Sequence, residues 1–279
     1  MAILGLGLIG GSIALDIKKK KLAREVVGYN RSPQGRREAL KRKACDNVFS
    51  DPQKAVLGAD LVILATPVQT IPQLARQIAG SLKKGAIVTD VGSTKLRIVK
   101  KLQGCLPKHV VFMGGHPIAG TEKTGMQSAV HHLFEGRWWL FTPTQDSRSV
   151  RSALQKLQRL AKELGSKTAS LPPQQHDQLL ALISHLPHMS AYALMDTALT
   201  LDKRQPLKYA AGGFRDYTRI AASSPQMWSE ICLDNAGPLL KMIERFEKSL
   251  GKIKSLIAKR DAEGLIRFFE SASEVRRKL

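Results

Sequence analysis

Short apolar runs alternate with amphipathic stretches through residues 1–171 of the chain. Such alternation is typical of βαβ units and predicts a sheet with helices on its faces. After Pro172 and Pro173 the strand pattern stops, and helical periodicity continues to the end. We therefore predict an α/β domain over residues 1–171 and an all-α domain over residues 172–279. The predicted strands cover residues 2–4, 25–29, 61–65, 86–89, 110–113 and 167–171.

A glycine motif, G-x-G-x-x-G, follows the first predicted strand and opens the first helix. Gly5 allows a tight turn, Gly7 lets a pyrophosphate approach the backbone, and Gly10 lets the helix pack against the strand. The amino terminus of the helix then faces the phosphates. We therefore expect a dinucleotide here, with an ordinary glycine turn as the alternative. The predicted cofactor-binding residues of the loop are Gly5, Leu6, Gly7, Leu8, Ile9 and Gly10.

The second strand ends at Asn30, where an Asp or Glu usually binds the adenosine ribose of NAD. Asn30 can bind a 2′-hydroxyl group but does not repel a 2′-phosphate, which Arg31, Ser32, Arg36 and Arg37 could bind. A solvated helix face is the alternative role for Arg36 and Arg37. We expect NAD(P) as the cofactor, with NADP slightly favoured over NAD.

Polar groups follow three further strands at the same edge of the predicted sheet. In an open α/β sheet, ligands bind beyond the carboxyl ends of the strands. We expect Thr66, Pro67 and Gly92 to contact the cofactor, and Ser93 lies beside them. His116 is predicted at the tip of its strand, in a glycine-rich loop, and is our first candidate for an acid/base residue.

One polar cluster of the helical half contains Ser184, His185 and His188, within a helix predicted over residues 176–201. Pro187 should kink this helix and free carbonyl groups. Two histidines at i and i+3 can share a helix face, but a metal site would need a further ligand, so we expect no metal. Histidines buried in a helix bundle are the alternative.

A second polar cluster follows Gly212 and Gly213, where a glycine turn opens a helix. Arg219 is suited to hold a carboxylate through paired hydrogen bonds. A salt bridge to Asp216, three residues earlier, is the alternative.

The formal net charge of +21 is typical of proteins that bind nucleic acid. The basic residues lie mostly on predicted outer helix faces, and no recognition helix or zinc finger accompanies them. We therefore expect no nucleic-acid partner, and a positive field that concentrates anionic substrate and cofactor instead.

Several sequence features bear on the compartment of the protein. The 3 cysteines stand far apart without a C-x-x-C pair, which predicts neither a disulfide framework nor a zinc site. The first lysines follow the apolar segment, the wrong order for a signal peptide. No apolar run approaches membrane-spanning length. We expect a cytoplasmic protein without a membrane partner.

Six motifs resemble, in their order, those of the prephenate/arogenate dehydrogenase family of tyrosine biosynthesis. They are GLGLIGGS, ATPV, TDVGSTK, GGHPIAGTEKTG, ISHLPH and GGFRDYTRIAASSPQMW. The resemblance covers nearly the whole chain, and HPIAGTE and SHLPH are its most specific elements. It implies a Rossmann-type domain followed by an all-α dimerisation and substrate domain that forms a homodimer. It also implies oxidative decarboxylation of prephenate to 4-hydroxyphenylpyruvate, or of arogenate to tyrosine, with NAD(P).

The resemblance also implies roles for individual residues. His116 would accept the proton of the C4 hydroxyl group, Ser93 would orient both groups, and Arg219 would hold a substrate carboxylate. A histidine at the end of SHLPH, here His188, accompanies prephenate use in the family, so we expect prephenate, with arogenate or dual specificity as the alternative. The other predicted substrate-binding residues are His185, Ser184, Thr121, Glu122, Arg215 and Asp216, of which Glu122 and Asp216 match the rim of the family's pocket.

Two rival hypotheses follow from the same residues. The chain could be another two-domain reductase, of the β-hydroxyacid dehydrogenase or pyrroline-carboxylate reductase kind, although these families generally use a lysine or a hydroxyl group in place of His116. A regulator that senses a dinucleotide and binds nucleic acid through its basic surface is the non-enzymatic alternative.

Overall fold

A computed structural model describes residues 1–200 and 206–278 of the chain. Its first half is built on one eight-stranded sheet with the order β3-β2-β1-β4-β5-β6-β7-β8. Strands β1 to β6 are parallel, whereas β7 pairs antiparallel with β6 and parallel with β8. The strands are β1 (Ala2–Leu4), β2 (Val27–Tyr29), β3 (Asn47–Phe49), β4 (Leu61–Leu64), β5 (Ile87–Asp90), β6 (Val111–Pro117), β7 (Trp138–Thr142) and β8 (Lys167–Ser170).

Helices cover the sheet and bury two apolar clusters against it. One cluster includes Ile3, Ile13 and Phe141, and the other includes Leu4, Val62 and Ile78. Since neighbours along β1 fall in different clusters, the sheet is apolar on both faces, as a parallel sheet requires. The helices of this half are α1 (Leu8–Lys19), α2 (Pro33–Lys41), α3 (Pro52–Val56), α4 (Ile71–Ile78), α5 (Leu96–Gln103) and α6 (Arg148–Glu163).

The second half is helical and begins with a single long helix that contains a π turn. Helix α7 (Pro173–Leu180) continues through the π turn Ala181–His185 into α8 (Leu186–Thr200). The remaining helices are α9 (Gly212–Thr218), α10 (Pro225–Asp234), α11 (Ala236–Ala258) and α12 (Ala262–Arg277). Over residues 1–200 and 206–278, no helix combines the length and the apolar character needed to cross a membrane.

The predicted fold class is confirmed: a mostly parallel α/β sheet comes first, and a helical domain follows it. The predicted division at residues 171 and 172 falls between β8 and α7 and stays a prediction. The helix predicted over 176–201 in fact begins at Pro173, because a proline fits the first turn of a helix. Its predicted end, Leu201, lies outside the described residues. Pro187 follows a π turn, a widened turn that accommodates the missing N–H group.

The prediction that β6 ends before the histidine was wrong. Residues Gly114 to Pro117 belong to the strand and pair with residues Trp139 to Thr142 of β7. The two glycines permit this pairing, since a Cβ atom on Gly114 would lie 2.3 Å from Thr142 Oγ1. His116 is consequently a buried strand residue and not a loop residue.

Candidate active site

The glycine loop between β1 and α1 has the geometry of a phosphate cradle. Gly5 has a φ of +107°, which side chains rarely tolerate, and a Cβ atom on Gly10 would lie 2.1 Å from the Gly5 carbonyl oxygen. A Cβ atom on Gly7 would meet nothing within 4 Å. Gly7 directly precedes α1, whose first N–H groups have no partner inside the helix. The loop therefore leaves open space at a helix amino terminus, and this fits a dinucleotide pyrophosphate.

The predicted ribose-binding residues are partly engaged within the protein. The Asn30 side chain donates to the Leu6 carbonyl oxygen at 3.1 Å and accepts from the Ser32 N–H group at 2.9 Å. Arg36 donates to the carbonyl oxygens of Asn30 and Arg31 at 3.0 and 2.9 Å. Arg36 is thus occupied with the backbone, which the sequence did not indicate. Ser32 caps α2, and both Ser32 and Arg31 are exposed.

Thr66 lies against the glycine loop, because a Cβ atom on Gly5 would be 2.8 Å from Thr66 Cγ2. Its hydroxyl oxygen is buried and has no hydrogen-bond partner among the described residues. Pro67, next to it, is exposed. A buried hydroxyl group without a partner beside a phosphate cradle is consistent with a group that a bound cofactor would engage.

His116 starts a chain of hydrogen bonds that crosses between the two halves of the molecule. Its Nδ1 lies 2.9 Å from Nε2 of His176, and Nδ1 of His176 lies 2.8 Å from the Asp177 carboxylate. That carboxylate also accepts from the N–H groups of Lys95 and Leu96, at 2.7 and 2.9 Å. Sequence reasoning missed His176 and Asp177. A His-Asp pair just after a Pro-Pro break was the available signal.

A buried ion pair fixes the loop that carries Ser93. Asp90 and Lys95 are fully buried and bonded to each other. The Asp90 carboxylate also accepts from the N–H groups of Gly92 at 2.9 Å and Gly115 at 3.2 Å. The ion pair thus ties the half-buried Ser93 loop to the strand next to it, which carries the histidine. Lys95 was also missed, since a lysine in a loop is usually exposed.

Burial is the main influence on the pKa of His116. It holds the pKa of His116 well below the usual 6.5, and the charges that His176 and Lys95 can carry lower it further. Burial also lowers the pKa of His176 and the pKa of Lys95, although Asp177 and Asp90 respectively oppose this. His116 is therefore a neutral imidazole near pH 7, as a proton acceptor must be.

The predicted histidine cluster of the helical half packs on Trp228. His188 stacks on the indole with 3.8 Å between ring centroids, and His185 meets it edge-on at 5.9 Å. His188 donates from Nδ1 to the Ser184 carbonyl oxygen at 2.8 Å. The Asn235 amide lies 3.0 Å from Nδ1 of His185, and burial lowers the pKa of His185 to about 4. Burial likewise lowers the pKa of His188.

Arg219 of the helical half and Glu122 of the first half form an ion pair at the surface, with 3.7 Å between Arg219 Nη1 and Glu122 Oε2. Arg219 therefore pairs with Glu122 in place of the alternative partner, Asp216. The Arg219 side chain remains 65% exposed, so it can still bind an anion. The other predicted residues of this region are exposed, namely Thr121 in the loop after β6 and Arg215 and Asp216 on α9.

Comparison with known proteins identifies two regions of the chain. Residues 13–170 match the nucleotide-binding domain of prephenate dehydrogenase, and residues 172–271 match its dimerization domain. Prephenate dehydrogenase of Bacillus subtilis is 38% identical over 98% of this chain and 74% of its own length. Cyclohexadienyl dehydrogenase of Zymomonas mobilis is 38% identical over 99% of this chain and 94% of its own length.

A solved structure extends the similarity to three dimensions. Prephenate dehydrogenase of Aquifex aeolicus, crystallised with hydroxyphenyl propionate and NAD+, has a TM-score of 0.92 and 34% sequence identity. The alignment covers 99% of this chain and 96% of the Aquifex aeolicus chain. The similarity therefore includes the glycine loop, the buried histidine strand and the helical half together.

Proposed function

The chain belongs to the prephenate dehydrogenase family, and on that premise we propose that it converts prephenate to 4-hydroxyphenylpyruvate by NAD(P)-dependent oxidative decarboxylation. One observation carries the proposal: a buried, neutral His116 beside the loop of Ser93, on the sheet that bears an open phosphate cradle. Family membership also argues against the reductase and regulator hypotheses.

The cofactor fits the residues at the strand ends. The N–H groups at the start of α1 and the space beside Gly7 would hold the pyrophosphate, and Thr66 and Gly92 would line the nicotinamide side. When bound, the oxidised dinucleotide supplies the acceptor for the hydride that leaves C4 of the substrate.

His116 then acts as the general base. Its Nε2 takes the proton of the C4 hydroxyl group, so that the O–H bond breaks and a C=O bond forms at C4. The resulting dienone loses its ring carboxylate as CO2, and the electron pair of that C–C bond makes the ring aromatic. The phenolate oxygen recovers the proton from His116, which returns the base to its neutral form.

Arg219 and Ser93 complete the proposed site. The Arg219 guanidinium would bind a substrate carboxylate through two parallel hydrogen bonds, displacing its long contact with Glu122. Before the substrate binds, Glu122 would position the arginine at the rim. Ser93, half-buried on a loop that Asp90 and Lys95 hold in place, would orient the reacting hydroxyl group.

Arogenate is the second candidate substrate, and the hydrogen bond of His188 favours it. Because Nδ1 donates to the Ser184 carbonyl oxygen, neutral His188 offers only an acceptor at Nε2. An acceptor suits the ammonium group of arogenate, whereas the keto group of prephenate needs a protonated His188. The name of the Zymomonas mobilis relative denotes dual use, a third outcome that the kinetic comparison below distinguishes.

The preference for NADP stays a prediction. No carboxylate occupies position 30, and exposed Arg31 and Ser32 could bind a 2′-phosphate. The Aquifex aeolicus relative was crystallised with NAD+, so both cofactors must be compared.

A homodimer through the helical half is also part of the proposal. Helices α11 and α12 expose large apolar side chains that water alone would cover in a monomer, and a second copy of the chain provides the matching face. These side chains are Leu240, Leu250, Ile257, Ile266, Phe269 and Val275.

A cytoplasmic location stays a prediction as well. All three cysteines are free, as expected of a reducing compartment.

The test is to follow reduced nicotinamide by absorbance while offering prephenate and arogenate, each with NAD+ and with NADP+. Turnover with prephenate is expected, and the four kcat/KM values decide the substrate and cofactor preferences. Absence of turnover in all four mixtures, from folded protein that binds a dinucleotide, would overturn the proposal.

A further inference from the structure

We infer that His176 and Asp177 are positioning residues that hold His116 in the tautomer with a proton on Nδ1 and a free electron pair on Nε2. The inference rests on the proposed function, because only a proton-accepting His116 needs this tautomer. Both residues are buried, and the hydrogen bonds of their side chains go to protein groups.

The direction of the hydrogen bonds follows from the Asp177 end. An ionised carboxylate only accepts hydrogen bonds, and Asp177 receives three, from two backbone N–H groups and from Nδ1 of His176. The proton of neutral His176 is therefore on Nδ1, and its Nε2 is an acceptor. That acceptor lies 2.9 Å from Nδ1 of His116, which must be the donor. Nε2 of His116 is left as the basic nitrogen.

The same chain of bonds favours the transition state. When the substrate proton arrives at Nε2, His116 becomes an imidazolium whose Nδ1–H group is a stronger donor to His176. The negative charge of Asp177, relayed by His176, stabilises the positive charge on His116. The positive charges that Lys95 and His185 can carry destabilise it. Asp90 neutralises Lys95, so the opposing charge is reduced.

The hydrogen-bonded chain behind the proposed base is assembled from both halves of the molecule. His116 comes from β6, and both positioning residues come from α7, where Asp177 binds the amino terminus of α5. A purely structural bond between the halves would stabilise the fold without selecting a tautomer. The two roles therefore differ in their effect on the ring protons of His116.

The experiment combines NMR of isotope-labelled histidine rings with steady-state kinetics of the full-length protein. His176→Phe keeps a planar aromatic ring but removes the acceptor, whereas His176→Gln restores an acceptor through its side-chain oxygen. The control is His131→Phe, because His131 forms a separate pair with Asp16, at 2.8 Å. Spectra of His116→Gln and His176→Gln assign the ring signals, and all spectra are taken without substrate.

We expect wild-type His116 to carry its proton on Nδ1. In His176→Phe the His116 proton should move to Nε2, and kcat should fall at least about tenfold while KM changes by less than about threefold, since a wrong tautomer impairs chemistry more than binding. His176→Gln should keep the Nδ1 proton and recover most of kcat, and His131→Phe should match the wild type.

A wild-type His116 with its proton on Nε2 would overturn the inference, as would equal losses of kcat in the Phe and Gln variants. If His176→Phe does not fold, the wild-type tautomer and the kcat of His176→Gln decide. The tautomer is measured without turnover, so a protein that lacks prephenate activity but has the Nδ1 proton would contradict the proposed function alone.

Discussion

Burial gives the histidines of the site their chemical character. His116, His176 and His185 are all buried, and burial is the first cause of the lowered pKa of each. A neutral ring can accept a proton or pass on a hydrogen bond, but a charged one in this setting would be costly. We therefore expect the function of the site and an acid sensitivity of the fold to have the same physical origin.

Stability should consequently fall as the pH drops below about 6.5, the histidine pKa in the unfolded chain. At a pH between the folded-state and unfolded-state pKa of a histidine, the unfolded chain binds more protons than the folded protein, so acid favours unfolding. For His185, whose folded pKa is about 4, the loss reaches about 2 kcal/mol near pH 5. Denaturant unfolding at a series of pH values gives the free energy of unfolding as a function of pH. This free energy should change less steeply with pH in His185→Gln than in the wild type, and as steeply as in the wild type in the exposed control His109→Gln. Parallel slopes in wild type and His185→Gln would contradict this account.

The sequence indicated some functional residues but not their partners. His116 and Arg219 stand in motifs with distinctive spacing, so both could be proposed from the sequence. His176 lies 60 positions from His116, and only the docking of α7 on the sheet brings the rings together. The ion pair of Arg219 with Glu122 was not predicted either, since the two residues are far apart in sequence and local spacing favours Asp216.

At the scale of elements, glycines occur both in the turn before α1 and inside strand β6. The motif before α1 was predicted as a turn, and Gly5 has the positive φ that such a turn needs. Gly114 and Gly115 suggested a loop but lie inside β6, where a Cβ atom on Gly115 would be 2.7 Å from the Asp90 carbonyl oxygen. Sequence alone does not separate a turn from a close approach of two strands.

Two glycines of the α1 loop should respond differently to alanine. Gly10→Ala should lower the free energy of unfolding by at least about 2 kcal/mol, because its Cβ atom would overlap the Gly5 carbonyl group. Gly7→Ala should change stability by less than about 1 kcal/mol but weaken dinucleotide binding at least about tenfold, since it fills the cradle. Denaturant unfolding and a dinucleotide titration measure these effects. Equal stability of Gly10→Ala and wild type, or unchanged binding by Gly7→Ala, would contradict the assignment of the loop.

For the whole molecule, the pattern of the sequence predicted two halves of different class but not how they join. Thr94 donates to Asp234 at 2.6 Å, and the N–H group of Lys95 donates to the Asp177 carboxylate at 2.7 Å. These bonds link a loop of the sheet to helices α7 and α10, and no local periodicity encodes them. Strand β7 was not among the predicted strands, and its antiparallel direction depends on the connection between strands, which the sequence pattern does not reveal.

The proposed dimer predicts that charge on the helical face separates the subunits. Ile266 and Phe269 are 55% and 51% exposed on α12, three residues apart and therefore on one face. Ile266→Glu with Phe269→Glu should convert a dimer to a monomer in sedimentation velocity. The control is Leu57→Glu, at an apolar side chain 67% exposed in the first half, which should remain dimeric. A monomeric wild type, or a double-glutamate variant that stays dimeric, would contradict the proposal that this face of α12 forms the dimer interface.

The central claim, that His116 is the base of a prephenate dehydrogenase, is tested most directly by one comparison. Prephenate-dependent nicotinamide reduction is measured for the wild type and for His116→Gln, with dinucleotide binding measured on both samples. The wild type should turn over, and His116→Gln should have a kcat lower by at least about a hundredfold with cofactor binding intact. A His116→Gln protein as fast as the wild type would contradict the claim.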